Sequence, residues 1–366
     1  MSMRVGIVTV YDSANIGSFM QALAMQEVVK MHGGEPYMIK IRSRFKSWII
    51  FQKYVFQPDE KMLKKTCKYL IGSIKHPKQV LARHNRFLEY SNDWSVFDRI
   101  VTAEEANKIG MDAVLLGSDE IWNSNFKAFL NPLLYGIGLS SNKKFAYAVS
   151  VGGMDRNNWK RYTDYFDAIK KLNGIYARDK KTVQYLHDYG VEASGMICDP
   201  TLQCDIRSYM KSNKRNAVSG KYIVVYSYSV SKTMQEHIKL FAKKNGLKTV
   251  ALSLEQPWCD EYINCSPLEF GDVLKNAEYV YTSTFHGTIF SVLYHKRFIT
   301  VSVLDKVHDV AKLMGVSSQY IQKECNYDEF ETVITNTINY TEVDREIEKL
   351  KDHAYSIYES ALGEVI

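Results

Sequence analysis

Residues 280–301, VYTSTFHGTIFSVLYHKRFITV, read as a short β-branched and aromatic strand, a tight turn, a helix apolar on nearly every face, and a second strand. In such a unit the turn lies at the carboxyl end of the first strand. The helix N-terminus then points free backbone N–H groups into the crevice where ligands collect. Ser283 or Thr284 would cap this helix, Gly287 would let a ligand approach the backbone, Thr288 shares the turn, and His286 would face the crevice. A histidine near a helix start is equally suited to a core or capping role, so the rest of the chain has to decide.

The same alternation extends on both sides. In the first half, MRVGIVTVYD, EPYMIKI, DAVLLGS, KKFAYAVSVG, GIYARD and MICDPT are apolar runs ending in polar or glycine turns, with helical patterns such as SFMQALAMQEVVKMHGG and KKTVQYLHDYG between them. After RSYMKSNKRNAVSGK, a polar and aperiodic stretch at 207–221, the pattern resumes with KYIVVYSYS, LKTVALSL, EYVYTS and RFITVSV as strands. Alternation of this kind implies α/β architecture: two doubly wound parallel-sheet domains facing a cleft. The expected division is 1–206 for the first domain, with a basic helical insertion at about 42–95, 207–221 for the linker, and 222–340 for the second domain. Residues 341–366 form a long terminal helix with Ile347, Leu350, Ala354, Ile357 and Ala361 at helical spacing. Thr341 and Asp344 stand where a cap belongs, and the helix is expected to pack back on the first domain.

Length and composition agree with two folded domains: 366 residues, 46% hydrophobic and 13% aromatic. No run of about 18 apolar residues suggests a membrane span, and the N-terminus enters a strand without a secretory h-region. A cytoplasmic protein is expected. The six cysteines form no C-x-x-C pair and no metal-ligand spacing with histidine, so they are expected to be reduced and structural, with no metal. Net charge is +6, but residues 40–86 hold 13 Lys or Arg against Asp59 and Glu60, so the remainder is acidic. No nucleic-acid motif accompanies these basic residues. They read either as a face for an anionic membrane surface, making the protein peripheral at the inner leaflet, or as a solvated helical insertion.

Four further groups fall at strand carboxyl ends. DSANIGS places Asn15 and Gly17 after the first strand, where it is not the G-x-G-x-x-G of a dinucleotide site. LLGSDEIWN gathers Gly117, Ser118, Asp119, Glu120, Trp122 and Asn123, two acids and an aromatic among them that suit a sugar, although an Asx turn over a core Trp122 fits as well. Arg178 ends GIYARD, where it would grip a carboxylate or phosphate or simply pair with Asp179. Lys306 follows the last strand in VLDKVHD.

The order of these groups resembles the polysaccharide pyruvyl transferases: NIG at 15–17, GSDEIWN at 117–123, SVG at 150–152, ARD at 177–179, DPT at 199–201 and STFHGTIF at 283–290. GSDEIWN and FHGTIFS are the specific parts, and the match spans nearly the whole chain. The resemblance implies a GT-B-like pair of Rossmann-like domains and transfer of pyruvate from phosphoenolpyruvate to a sugar as a cyclic ketal, on an acceptor that is a polyprenyl-linked saccharide, with no cofactor. Arg178, Lys306 and the helix start at His286 to Thr288 would then meet the donor's charges, and His286 would protonate C3 or neutralise the leaving phosphate. Asp119 would take the acceptor's proton. A glycosyltransferase using a sugar nucleotide and a non-catalytic saccharide-binding protein are the rival readings.

Overall fold

A computed structural model of the chain describes residues 2–53, 77–155 and 163–363. The first half supplies strands β1 (Arg4–Val8), β2 (Glu35–Ile39), β3 (Ile100–Val101), β4 (Ala113–Leu116), β5 (Lys144–Val149), β6 (Gly174–Ala177) and β7 (Gly195–Met196). They form one sheet in the order β3-β2-β1-β4-β5-β6-β7, parallel throughout. The second half supplies β8 (Tyr222–Tyr226), β9 (Lys248–Leu252), β10 (Glu261–Ile263), β11 (Tyr279–Thr282), β12 (Arg297–Val301) and β13 (Tyr320–Ile321). These form a second all-parallel sheet, β10-β9-β8-β11-β12-β13. The central strands β4 and β8 are buried at every position, as continuous apolar runs must be when helices cover both faces.

Strand order fixes where ligands can collect. The first sheet reverses direction between β1 and β4, and the second between β8 and β11. Loops leaving the carboxyl ends at these switch points line the crevice of a doubly wound sheet. The two switch points face each other: Asn15 Nδ2, after β1, donates to the Tyr228 hydroxyl, after β8, at 3.2 Å.

Helix Ile16–Met31 joins the halves. Phe19, Met20, Leu23 and Met25 are wholly buried, in one hydrophobic cluster that runs from Val5 and Ile7 to Phe285, Ile289 and Phe290 of the second domain. Fully burying such a side chain contributes roughly 1.5–3 kcal/mol, so the domains share a core as well as a linker.

Three details differ from the sequence reading. MICDPT is a strand only at Gly195–Met196, and its remainder turns through the 3₁₀ segment Pro200–Leu202. Residues 207–221 hold 3₁₀ turns and are tied to the second domain through Lys211 N to Leu268 O at 2.7 Å and Asn213 Nδ2 to Glu269 Oε1 at 2.6 Å. The terminal helix, Tyr340–Leu362, follows Asn339, and Thr341 and Asp344 do not cap it. Asp344 instead meets His295 Nε2 at 2.9 Å. That contact fixes the helix start to the second domain. Its later turns lie on the first, where Glu359 pairs with His32 Nδ1 at 2.6 Å and Tyr358 stacks on the same ring.

Helices Arg44–Lys53 and Pro77–Asn92 frame the basic insertion, and Arg86 Nη2 reaches the Ser253 carbonyl of the second domain at 2.7 Å. Residues 54–76, with Lys61, Lys64, Lys65, Lys68 and Lys75 of the basic charge assigned to a membrane face, lie outside the described residues. Among the described residues no helix is long and apolar enough to cross a membrane.

Candidate active site

The first domain brings four charged groups to its edge of the cleft. Asp199 follows β7, is fully buried, and accepts from the Thr201 backbone and hydroxyl through Oδ1 at 3.1 and 2.7 Å. Its Oδ2 accepts from Arg178 Nη1 at 2.7 Å and Ser118 Oγ at 3.5 Å. Arg178 ends β6 and has Asp119 Oδ1 3.6 Å from Nη2. Asp119 lies just past β4 at φ +74° and accepts from Ser18 Oγ at 2.6 Å and from the Glu120 N–H at 2.8 Å. Glu120 completes the set.

The second domain brings fewer groups, all at helix starts. Thr284 caps helix Phe285–Leu293 by accepting from the Gly287 N–H at 2.9 Å, so the hydroxyl expected to cap this helix does so. His286 then projects across the cleft. A β-carbon at position 17 would coincide with its ring, which is why glycine is required there. His286 Nε2 stops 3.7 Å from Asp199 Oδ2 and has no hydrogen-bond partner. Arg178 lies over the Phe285 ring at 4.6 Å from its centroid, and Lys306 Nζ approaches the same ring at 5.7 Å. Lys306 also forms an ion pair with Glu120 across the domains.

Charges are therefore compensated within the cleft. Burial would raise the Asp119 carboxyl, but Arg178, His286 and Lys306 outweigh it and hold it below the usual range. Asp199 follows the same pattern, with burial overcome by His286, Arg178 and Thr201. Burial would lower the Arg178 guanidinium, and Asp199 with Asp119 more than offsets that. Arg178 Nε and Nη2 and His286 Nε2 are buried without hydrogen-bond partners. A buried polar atom left without a hydrogen bond costs about 1–3 kcal/mol, and three in one cluster mark a place where a ligand would supply partners.

Several expected ligand contacts are framework instead. Thr288 is fully buried, donating to the Thr284 carbonyl at 2.9 Å and sharing a hydrogen bond with Thr300. Gly287 packs against the side chains of Thr282, Thr284 and Tyr226, which leave no room for a β-carbon, so the glycine serves packing and not ligand approach. Ser118 is buried among Gln21, Thr9 and Asp199. Trp122 is fully buried, its Nε1 donating to the Leu134 carbonyl at 3.1 Å, and so offers no platform for a sugar. Asn123 Nδ2 holds Glu120 Oε2 at 2.9 Å, and Ser283 Oγ lies 2.6 Å from Ser227 Oγ. Asn15 caps its helix through the Ser18 N–H. Sequence reasoning gave no role to Asp199, Phe285 or Ser18, and took Glu120 only as one of the two acids in a turn that suits a sugar. Only the first carried a signal, an acid followed by Pro–Thr at the end of an apolar run.

Two doubly wound parallel domains with facing switch points and a charged junction between them make a GT-B-like architecture. The model of the polysaccharide pyruvyl transferase family matches residues 15–305, and the chain belongs to that family of enzymes. No curated protein sequence matches the chain. Among solved structures it is similar to UDP-N-acetylglucosamine 2-epimerase from Rickettsia bellii, at 10% identity and TM-score 0.56, over 100% of this chain and 97% of that one. It is also similar to the UDP-GlcNAc 2-epimerase from Neisseria meningitidis bound to UDP-GlcNAc, at 10% identity and TM-score 0.50, over 99% and 100% of the two chains. Likeness at these identities establishes the fold alone.

Proposed function

We propose that the enzyme moves pyruvate from phosphoenolpyruvate onto two hydroxyls of a sugar as a cyclic ketal, on a polyprenyl-linked saccharide. The observation that carries this reading is the meeting of three unsatisfied donors, on Arg178 and His286, at the junction of the switch points. They stand beside a helix start whose first N–H groups are free of the Thr284 cap. A small donor with a carboxylate and a phosphate supplies the missing acceptors.

In this reading one hydroxyl oxygen adds to C2 while the C2–C3 double-bond pair takes a proton at C3 from His286. The second hydroxyl then bonds to C2 as phosphate leaves with the C–O pair. Of the two hydroxyl protons, one balances that delivered to C3 and the other leaves on phosphate. His286 is the choice for acid because its Nε2 is unpartnered and sits across the cleft from the carboxylates.

The test is thermal melting with candidate donors, joined to phosphate release from phosphoenolpyruvate with soluble and lipid-linked glycosides. Phosphoenolpyruvate should raise Tm, since a ligand that binds only the folded state stabilises it by mass action. Stabilisation by uridine or guanosine sugar diphosphates alone would sink the donor assignment. Equal rates on soluble and lipid-linked acceptors would remove the polyprenyl part and with it the reason for membrane attachment.

A further inference from the structure

The ion pair between Glu120 and Lys306 leaves a difficulty that the donor reading has to meet. Lys306 enters from the second domain and Glu120 from the first, and their side chains are 22% and 15% exposed. Glu120 is held in place: Asn123 binds its other oxygen, and Gly152, at φ +55°, packs against its carboxylate so closely that a β-carbon would collide. Arg178 is likewise engaged by Asp199. A donor bearing close to three negative charges must therefore take a cation from a carboxylate already on it. Lys306 is the more yielding of the two, because Arg178 is only 3% exposed and sits between two acids.

Asp119 is poorly placed as the base that receives the acceptor's proton. Both of its oxygens are occupied, by Ser18 and by the Glu120 N–H, with Arg178 beyond. Glu120 has one oxygen bound by Asn123 and the other by Lys306, so release of Lys306 would free that second oxygen.

Resting on the pyruvyl transfer reading, we propose that the donor's phosphate displaces Glu120 from Lys306, and that the freed Glu120 carboxylate is the general base for the acceptor hydroxyl. Burial raises the Glu120 carboxyl, Lys306 lowers it most strongly, and Asp119 raises it. Once Lys306 turns to the donor, the two raising influences remain, so donor binding itself makes the base stronger. The proton of the ring-closing hydroxyl passes to Glu120 as the oxygen's electron pair forms the bond to C2, and phosphate leaves with the pair of the breaking C–O bond. Glu120 then returns the proton to phosphate or water and re-pairs with Lys306. The carboxylate thus marks the phosphate position in the free enzyme and enforces donor-before-acceptor order.

The test is calorimetric binding of phosphoenolpyruvate plus steady-state kinetics on Glu120→Gln, with Tm recorded for each variant. The expected signature is a split in opposite directions. Removing a competing unit charge about 4 Å from the phosphate site should tighten donor Kd on the order of 10-fold. Loss of a general base should lower kcat by about 10²-fold or more. Glu120→Asp should recover part of kcat, and in a Lys306→Met background the gain in donor affinity should vanish. If phosphoenolpyruvate does not bind wild type, the donor reading itself has failed. If it binds wild type but Glu120→Gln binds it no tighter, or turns over at the wild-type rate, the assignment of Glu120 is overturned.

Discussion

The carboxyl edge of the first sheet carries Asp119, Glu120, Asp199 and one guanidinium, whereas that of the second carries an imidazole, an ammonium and the face of Phe285. The first edge has excess anion and the second excess cation, so each is poorly solvated without the other. The attraction between the two edges is what the proposed donor, with its negative charges, would have to rearrange. The difference also assigns tasks: the acid-rich edge suits an acceptor whose hydroxyls lose protons, and the cationic edge suits the donor.

The sharpest way to break that division is His286→Ala, which removes the imidazole that reaches from the second edge into the first. Turnover should fall on the order of 10²- to 10⁴-fold with Tm little changed, because Nε2 makes no hydrogen bond that the fold depends on. A large drop in Tm with near-normal turnover by the folded fraction would make this histidine structural.

Asp199→Asn should act mainly on stability. It leaves Arg178 buried with less compensation, at a cost of about 3–5 kcal/mol, read as a lowered denaturation midpoint. A carboxyl depressed in the folded state stabilises above its unfolded value, about pH 4, and that contribution is lost as pH falls through the folded value. The variant should therefore show a flatter acid limb of stability against pH than wild type. An unchanged acid limb would mean that Asp199 does not carry the charge balance. The same geometry alters what is expected of Arg178: buried between two carboxylates, it balances charge as well as facing the donor, so its removal should cost stability in addition to affinity.

The smallest effect should come from Tyr228→Phe, which deletes only the hydroxyl that Asn15 contacts across the domains. A loss of about 0.5–1.5 kcal/mol in stability, with modest change in kcat, is expected for one hydrogen bond. A loss of kcat comparable to that of His286→Ala would mean that this bridge positions the site.

How far all this could be read from the chain depends on range. The strands were legible because runs such as AVLL and YIVVY can only be satisfied between two helical layers, and the Thr284 cap was legible because its partner is three residues away. The roles of Ser118, Thr288 and Glu120 were not, because each is set by a partner outside its own turn. Ser118 meets Asp199 at a separation of 81 residues, and Glu120 meets Lys306 at 186. A local pattern shows that a polar group sits at a strand end, and topology alone decides whether it faces substrate or another side chain. Gly287 illustrates the same limit: it looked like an opening for a ligand, and its space is filled by neighbouring side chains.

The chain passes between domains twice, once through residues 207–221 and once along helix Tyr340–Leu362, whose Leu350 carbonyl lies 3.7 Å from Cys198 Sγ, shortly before the first passage begins. Two covalent passages, together with the apolar cluster that helix Ile16–Met31 shares with Phe285, Ile289 and Phe290, tie one lobe to the other, and this tethering keeps the imidazole of the second lobe in the hollow above Gly17.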